Sequence, residues 1–282
     1  MRRAFLFIGV NMDKPGKAYK NLEFLNSSDA RTIRILSEFY EPQSRFRKNK
    51  IVDTIVFFGS ARIRSKSEIQ KEINELKRNK PKNEKVFQNK LEALQTKLIM
   101  SRYYDDAVEL SKRLTEWSMK LPTNGHRFTI CSGGGPGIME AANKGAKVVG
   151  GKSIGLNISI PFEQFVNKFV TPELAFEFHY FFMRKFWFAY LAKVLVVFPG
   201  GFGTLDELME MITLLQTGKI KKNLKVVIYD SMYWNDIIDF DKLVKYGMIS
   251  KKDLQLFDFC DTIDQAFERI TTHFEKNYLN DK

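Results

Sequence analysis

Continuous apolar runs of strand length recur along this chain, each closed by small residues and followed by a helical pattern. Thr54–Phe58, residues 128–131 and residues 194–198 are such runs. They have the pattern of strands buried on both faces of a parallel sheet. Residues 152–160 and 224–229 read as further strands. Between the strands, apolar positions return at helical spacing over residues 103–120, 138–146 and 205–215, and again over 231–240 and 262–275. Gly145 falls near the end of the second of these helices. An earlier helix starts at Ser28 with a Ser-Ser-Asp cap and is predicted to stop before Pro42. The stretch 173–190 is crowded with aromatic residues; part of it must be a buried helix, and the segment before Tyr180 reads as extended. Residues 1–25 carry few periodic signals.

The alternation of strand and helix predicts an α/β fold: a doubly wound, Rossmann-like, mainly parallel sheet with helices on both faces. Residues 1–50 read as an N-terminal extension with one helix, and residues 51–282 as one Rossmann-like domain. A charged stretch at about 64–101 interrupts it. There Ile69, Ile73 and Leu76, then Val86, Leu91, Leu94 and Leu98, recur at helical spacing on either side of Pro81. This is a helical hairpin insertion with solvated charged faces.

Three strands run into small-residue turns. They are Gly59-Ser60-Ala61-Arg62, Ser132-Gly133-Gly134-Gly135-Pro136-Gly137 and Pro199-Gly200-Gly201-Phe202-Gly203-Thr204. In a parallel sheet all three lie at the carboxyl edge, where open α/β sheets bind ligands. A helix start offers free N–H groups and a dipole that favours an anion, and glycine lets a ligand approach the backbone. Thr204 can cap the helix or bind a phosphate, and Glu207 lies about one turn further in. No G-x-x-x-x-G-K-[ST] loop is present, and the second turn misses the G-x-G-x-x-G spacing, so a phosphate is favoured over a dinucleotide. Gly59, Ser60, Gly133, Gly134, Gly135, Gly200, Gly201, Gly203 and Thr204 are the candidate binding residues. Glu140 joins them, either touching a ribose or complementing its helix dipole.

The pair Gly133-Gly134-Gly135-Pro136-Gly137-Ile138-Met139-Glu140-Ala141-Ala142 and Pro199-Gly200-Gly201-Phe202-Gly203-Thr204-Leu205-Asp206-Glu207 resembles the LONELY GUY (LOG) family. So does Tyr180-Phe181-Phe182-Met183-Arg184-Lys185, which carries the family's Arg-Lys pair. The likeness runs from about residue 51 to 230 and is to the longer bacterial branch. These are nucleoside 5′-monophosphate phosphoribohydrolases, often labelled lysine decarboxylases. The resemblance implies hydrolysis of the N-glycosidic bond of AMP or a cytokinin riboside monophosphate, with Arg184 and Glu207 catalytic. Met183 and Lys185 enter the binding set beside Arg184, although Lys185 points elsewhere on the helix, toward packing or a neighbouring subunit. The resemblance also implies a homodimer or larger assembly, in keeping with the aromatic excess at 176–190. A non-catalytic nucleotide or cofactor carrier of the same fold is the alternative.

Composition modifies this picture little. The chain has 282 residues and a net charge of +12, which suits an anionic substrate; charge alone would also suggest a single-stranded DNA-binding protein, ranked well below the enzyme. Two cysteines, Cys131 and Cys260, form no disulfide framework and point to a reducing cytoplasm. His126, His179 and His273 have no metal-ligand spacing, so neither a metal nor a cofactor is expected. No apolar run reaches membrane-spanning length, and the apolar run at residues 4–10 is too short for a signal peptide.

Overall fold

The computed structural model describes residues 15–160 and 165–279. The expectations for the first 14 residues lie outside the described part. Seven strands form one sheet: β1 (Thr54–Phe58), β2 (Thr129–Ser132), β3 (Ser153–Ile158), β4 (Ala175–Phe178), β5 (Ala192–Val197), β6 (Lys225–Tyr229) and β7 (Asp258–Cys260). They run in the order β4-β3-β2-β1-β5-β6-β7, and every pairing is parallel. The predicted strands all form. β7 has only three residues, too few to show a pattern in the sequence, and is recruited by pairing with β6.

The helices are α1 (Leu22–Asn26), α2 (Arg31–Lys48), α3 (Lys66–Arg78), α4 (Glu84–Met100), α5 (Arg102–Met119), α6 (Ile138–Val148), α7 (Phe181–Leu191), α8 (Phe202–Gln216), α9 (Ser231–Ile237), α10 (Phe240–Lys245) and α11 (Ile263–Phe274). Alternate residues of the central strands feed two cores. Val56, Phe58, Leu195 and Val197 face Phe46 of α2, Trp187 of α7 and Leu208 of α8. Ile55, Phe57, Val194 and Val196 face Leu110 of α5, Ala142 of α6 and Ile270 of α11. Both faces are covered, as a parallel sheet requires. Gly145 lies in the last turn of α6, near its end as predicted, but it does not end the helix: a Cβ there would stand 2.2 Å from the Val108 carbonyl oxygen of α5, so glycine serves the close approach of two helices.

Three predicted boundaries are overturned. The helix predicted over 231–240 breaks after Ile237 into α9 and α10, and α2 starts at Arg31 behind Ala30 with no side-chain cap. Helix α2 does not stop before Pro42 but runs through it to Lys48. Proline cannot donate to the carbonyl four residues back, which is that of Glu38. That carbonyl is taken instead by the Trp187 indole N–H at 2.9 Å, and Pro42 is buried. The N-terminal extension thereby joins the main core. Its Phe39 and Phe46 rings meet Trp187 at 5.8 and 5.3 Å.

The inserted hairpin is α3 and α4, with Pro81 between them, as predicted. Ser65 and Glu68 form a capping box that starts α3. Among the described residues no helix is long and apolar enough to cross a membrane.

Candidate active site

β1 is flanked by β2 on one side and β5 on the other. The chain leaves β1 for α5 on one face of the sheet and leaves β5 for α8 on the other. Such a reversal opens a crevice beyond the carboxyl ends of the two strands. A cavity of about 760 Å³ lies there. Residues 59–63 after β1 and residues 199–205 after β5 form two of its walls, and Arg184 and Glu207 line it as well. Gly59, Gly134 and Gly201 thus follow three neighbouring strands at one edge, as expected.

The turn after β5 is asymmetric in its hydrogen bonding. Its carbonyls are occupied: Pro199 O accepts from Ser60 N at 3.1 Å, and Gly201 O from Leu205 N at 2.9 Å. Gly200 O accepts from the Tyr233 hydroxyl at 2.9 Å. The N–H groups of Gly201, Phe202, Gly203 and Thr204 have no protein acceptor among the described residues, and no side chain caps the helix. Four free donors at the start of a 15-residue helix make a seat for an anion.

The glycines of this turn divide by purpose. A Cβ on Gly200 would meet Thr204 Oγ1 at 2.1 Å, so that glycine serves packing of the buried threonine. A Cβ on Gly201 or Gly203 would meet no protein atom within 4 Å. Internal packing makes no demand for glycine there. The open space lies beside the free donors.

Arg184, from α7, and Glu207, from α8, are partly buried beside the cavity, their side chains 11% and 16% exposed. Arg184 Nη1 lies 3.8 Å from Glu207 Oε1. The guanidinium donates from Nε to Leu156 O at 2.8 Å and lies 5.0 Å from the Phe188 ring centre. Burial lowers the Arg184 pKa, opposed by the charge of Glu207. Burial pushes the Glu207 carboxyl up to about 7; the Arg184 charge opposes the rise without cancelling it. A carboxyl near neutrality, paired with a desolvated cation in a cleft, is the arrangement acid–base and electrostatic catalysis requires.

The second glycine turn lies behind Arg184. A Cβ on Gly133 would stand 2.5 Å from Arg184 Nη2, so the missing side chain makes room for the guanidinium. Gly134, at φ 72°, packs on Gly155, and the Gly134 and Gly135 carbonyls both accept from Asn167 Nδ2 at 3.0 Å. Met139 of the following helix lines the cavity. Glu140 accepts from the Tyr104 hydroxyl at 2.7 Å. Met183 is buried in the core. Lys185 turns to α8, with Nζ 2.8 Å from both Asp206 and Glu210, and so ties α7 to α8 beside Arg184 and Glu207. Ser60 shapes its turn by accepting from Arg62 N at 3.1 Å.

Phe181, three residues before Arg184, lines the cavity, and so do Tyr233, Ile158, Met100 and Ile237, which the sequence did not single out. They sit on helices or a strand without a motif; only their place after strands at the carboxyl edge, or at the end of the insertion, could have marked them. Arg62, also in the lining, has no carboxylate within ion-pair distance among the described residues. None of the three histidines lines the cavity, and among the described residues no three His, Cys, Asp or Glu side chains gather as a metal site.

A family model described as "Possible lysine decarboxylase" matches residues 139–270, which hold Arg184, the turn after β5 and Glu207. The cytokinin riboside 5′-monophosphate phosphoribohydrolase LOG3 of Arabidopsis thaliana is 30% identical over 173 residues, covering 60% of this chain and 75% of that protein. The rice (Oryza sativa subsp. japonica) enzyme LOG, of the same description, is 32% identical over 152 residues, covering 53% of this chain and 58% of its own length. Among solved structures, TM1055 aligns with a TM-score of 0.45 at 17% identity, covering 78% of this chain and 99% of that one. The Moco carrier protein of Chlamydomonas reinhardtii aligns with a TM-score of 0.42 at 21% identity, covering 62% of this chain and 89% of that one.

Proposed function

The chain belongs to the LONELY GUY family, and from that premise we propose that it hydrolyses the N-glycosidic bond of a purine nucleoside 5′-monophosphate. The free donors of residues 201–204 take the 5′-phosphate. That holds the ribose over Glu207, one helical turn further in. As the bond from the anomeric carbon to the base nitrogen breaks, its electron pair leaves with the base. Positive charge builds on the sugar, and the ionised Glu207 carboxylate stabilises it and orients the attacking water. Water supplies hydroxide to the sugar and its proton offsets the charge on the base. The products are free base and ribose 5-phosphate. Arg184 stabilises negative charge on the phosphate or on the departing base.

The observation that carries this reading is the juxtaposition of free N–H donors with the partly buried Arg184–Glu207 pair in one cavity. The decarboxylase description of the family model finds less support, because no lysine is among the residues lining the cavity. The relatives' names favour a cytokinin riboside monophosphate as substrate, and the apolar wall of Ile158, Phe181 and Ile237 suits a base with an apolar substituent.

Purified protein incubated with AMP and with N6-prenylated AMP is expected to release free base from at least one of them, detected by chromatography, and far less from adenosine. Binding of AMP without any release of base would favour the carrier. Equal turnover of adenosine and AMP would remove the phosphate seat from the reading.

A further inference from the structure

Tyr233 stands outside every motif in the chain, yet its hydroxyl donates to the Gly200 carbonyl at 2.9 Å and its side chain lines the cavity. Gly200 is linked to Gly201 by a trans peptide, in which C=O and N–H point in opposite directions. Holding the Gly200 oxygen therefore also fixes the direction of the Gly201 N–H, the first of the four free donors. A peptide between two glycines has little steric resistance to turning over, because glycine adopts both signs of φ. Turned over, this one would present an oxygen where an anion needs a donor.

The placing of Tyr233 is itself enforced. Asp230, at the end of β6, adopts φ 72°, a conformation unfavourable for a side chain larger than glycine's. Its carboxylate accepts from Tyr233 N at 2.9 Å and from the Tyr103 hydroxyl at 3.0 Å, and it pairs with Arg102. Its own N–H donates to Cys260 O at 2.9 Å. Contacts from α5 and β7 thus hold a strained residue that starts α9 at the angle bringing Tyr233 over the glycine turn. Such strain persists where surrounding structure over-determines it, and it gathers at functional sites.

We propose that Tyr233 is a positioning residue for the substrate phosphate: by holding the Gly200 carbonyl it locks the Gly200–Gly201 peptide with its N–H free for the anion. This rests on the nucleotide reading of the cavity. Tyr233 takes no part in bond breaking. It keeps the seat in its binding orientation before the ligand arrives, so the ligand need not select that orientation from two.

The test is Tyr233→Phe, which keeps the ring in the cavity and removes only the hydroxyl. Wild type and variant are titrated calorimetrically with AMP, adenosine and inorganic phosphate, and their free forms are compared by amide NMR. The loss of one hydrogen bond is expected to weaken AMP and phosphate by about three- to tenfold, to leave adenosine unchanged, and to broaden the Gly201 amide in the free variant. Unchanged AMP affinity overturns the proposal. So does an equal weakening of AMP and adenosine with a lowered melting temperature, which would mark a purely structural role. If wild type binds neither AMP nor phosphate, the nucleotide reading fails on its own; the Gly201 amide then decides the locking, and an unbroadened signal in the variant overturns it.

Discussion

Glu207 carries the sharpest expectations at the scale of a residue. Glu207→Gln keeps size and hydrogen-bonding capacity but removes the charge, so turnover is expected to fall by about 10²–10³-fold while AMP still binds. With its pKa near 7, wild-type turnover should climb with pH up to about that value and then level, as the carboxylate becomes ionised. The residual activity of Glu207→Gln should lack that rise, which a pH–rate profile of both proteins checks. Stability follows the same group with the opposite sign. Its folded pKa is raised above the ordinary 4.5, so the folded protein holds a proton that the unfolded chain has released, and stability is lost as pH rises from about 4.5 to 7. Glu207→Gln is therefore expected to be more stable than wild type at pH 8, by an amount on the order of 3 kcal/mol. The gain should vanish near pH 4, as denaturant melts at the two pH values would show.

Helices and turns make the glycines and the proline readable at the scale of an element. Gly203 is inside α8, and a Cβ there meets nothing. Gly203→Ala is expected to stabilise the helix by up to about 1 kcal/mol while weakening AMP binding tenfold or more, since the methyl group fills the space beside the donors. Gly145→Ala, with 2.2 Å to a backbone oxygen, should instead destabilise the protein. Thermal melts paired with AMP titrations separate the two. Helix α2 depends on a partner for its continuity. Trp187→Phe would leave the partly buried Glu38 carbonyl without its indole partner, at a cost of about 1 kcal/mol. Adding Pro42→Ala returns an N–H to that carbonyl, so the two changes together should cost less than their sum in a denaturant double-mutant cycle. Glu38 also accepts from His179 N at 2.8 Å and Tyr180 N at 3.3 Å, just before α7. The N-terminal extension thereby sets the start of the helix that carries Arg184, a role its sequence did not reveal.

The aromatic excess of residues 176–190 divides between two environments at the scale of the whole molecule. Phe176, Phe178, Trp187 and Phe188 are buried, whereas Phe181, Phe182 and Tyr190 remain more than half exposed, with Tyr40 of α2 also open to solvent. Exposed aromatics on two helices call for a cover, and a second copy of the chain is the one the family resemblance implies. Sedimentation at micromolar concentration is expected to show a dimer, shifted toward monomer by Phe182→Asp together with Tyr190→Asp. A wild-type protein that sediments only as a monomer would refute this.

The sequence by itself determined the architecture and the edge of the sheet that carries the candidate site. Unbroken apolar runs of strand length, each followed by a helical pattern, fit a parallel sheet covered on both faces, and strand–glycine–helix turns put three glycine turns at one edge. It also marked Arg184, Glu207 and the Gly200–Thr204 turn, because each stands in a short local motif. Only the tertiary structure decided which glycines serve packing and which leave space. Gly133 and Gly201 look alike in the chain; one accommodates the Arg184 guanidinium and the other faces a cavity. It also carried α2 through Pro42, because the compensating indole comes from a residue about 150 positions away, and it brought Tyr233 to Gly200 across 33 positions. Local patterns record backbone preference and burial. Contacts between distant segments leave no periodic trace, and it is those contacts that determine the hydrogen bonds and charges of the site.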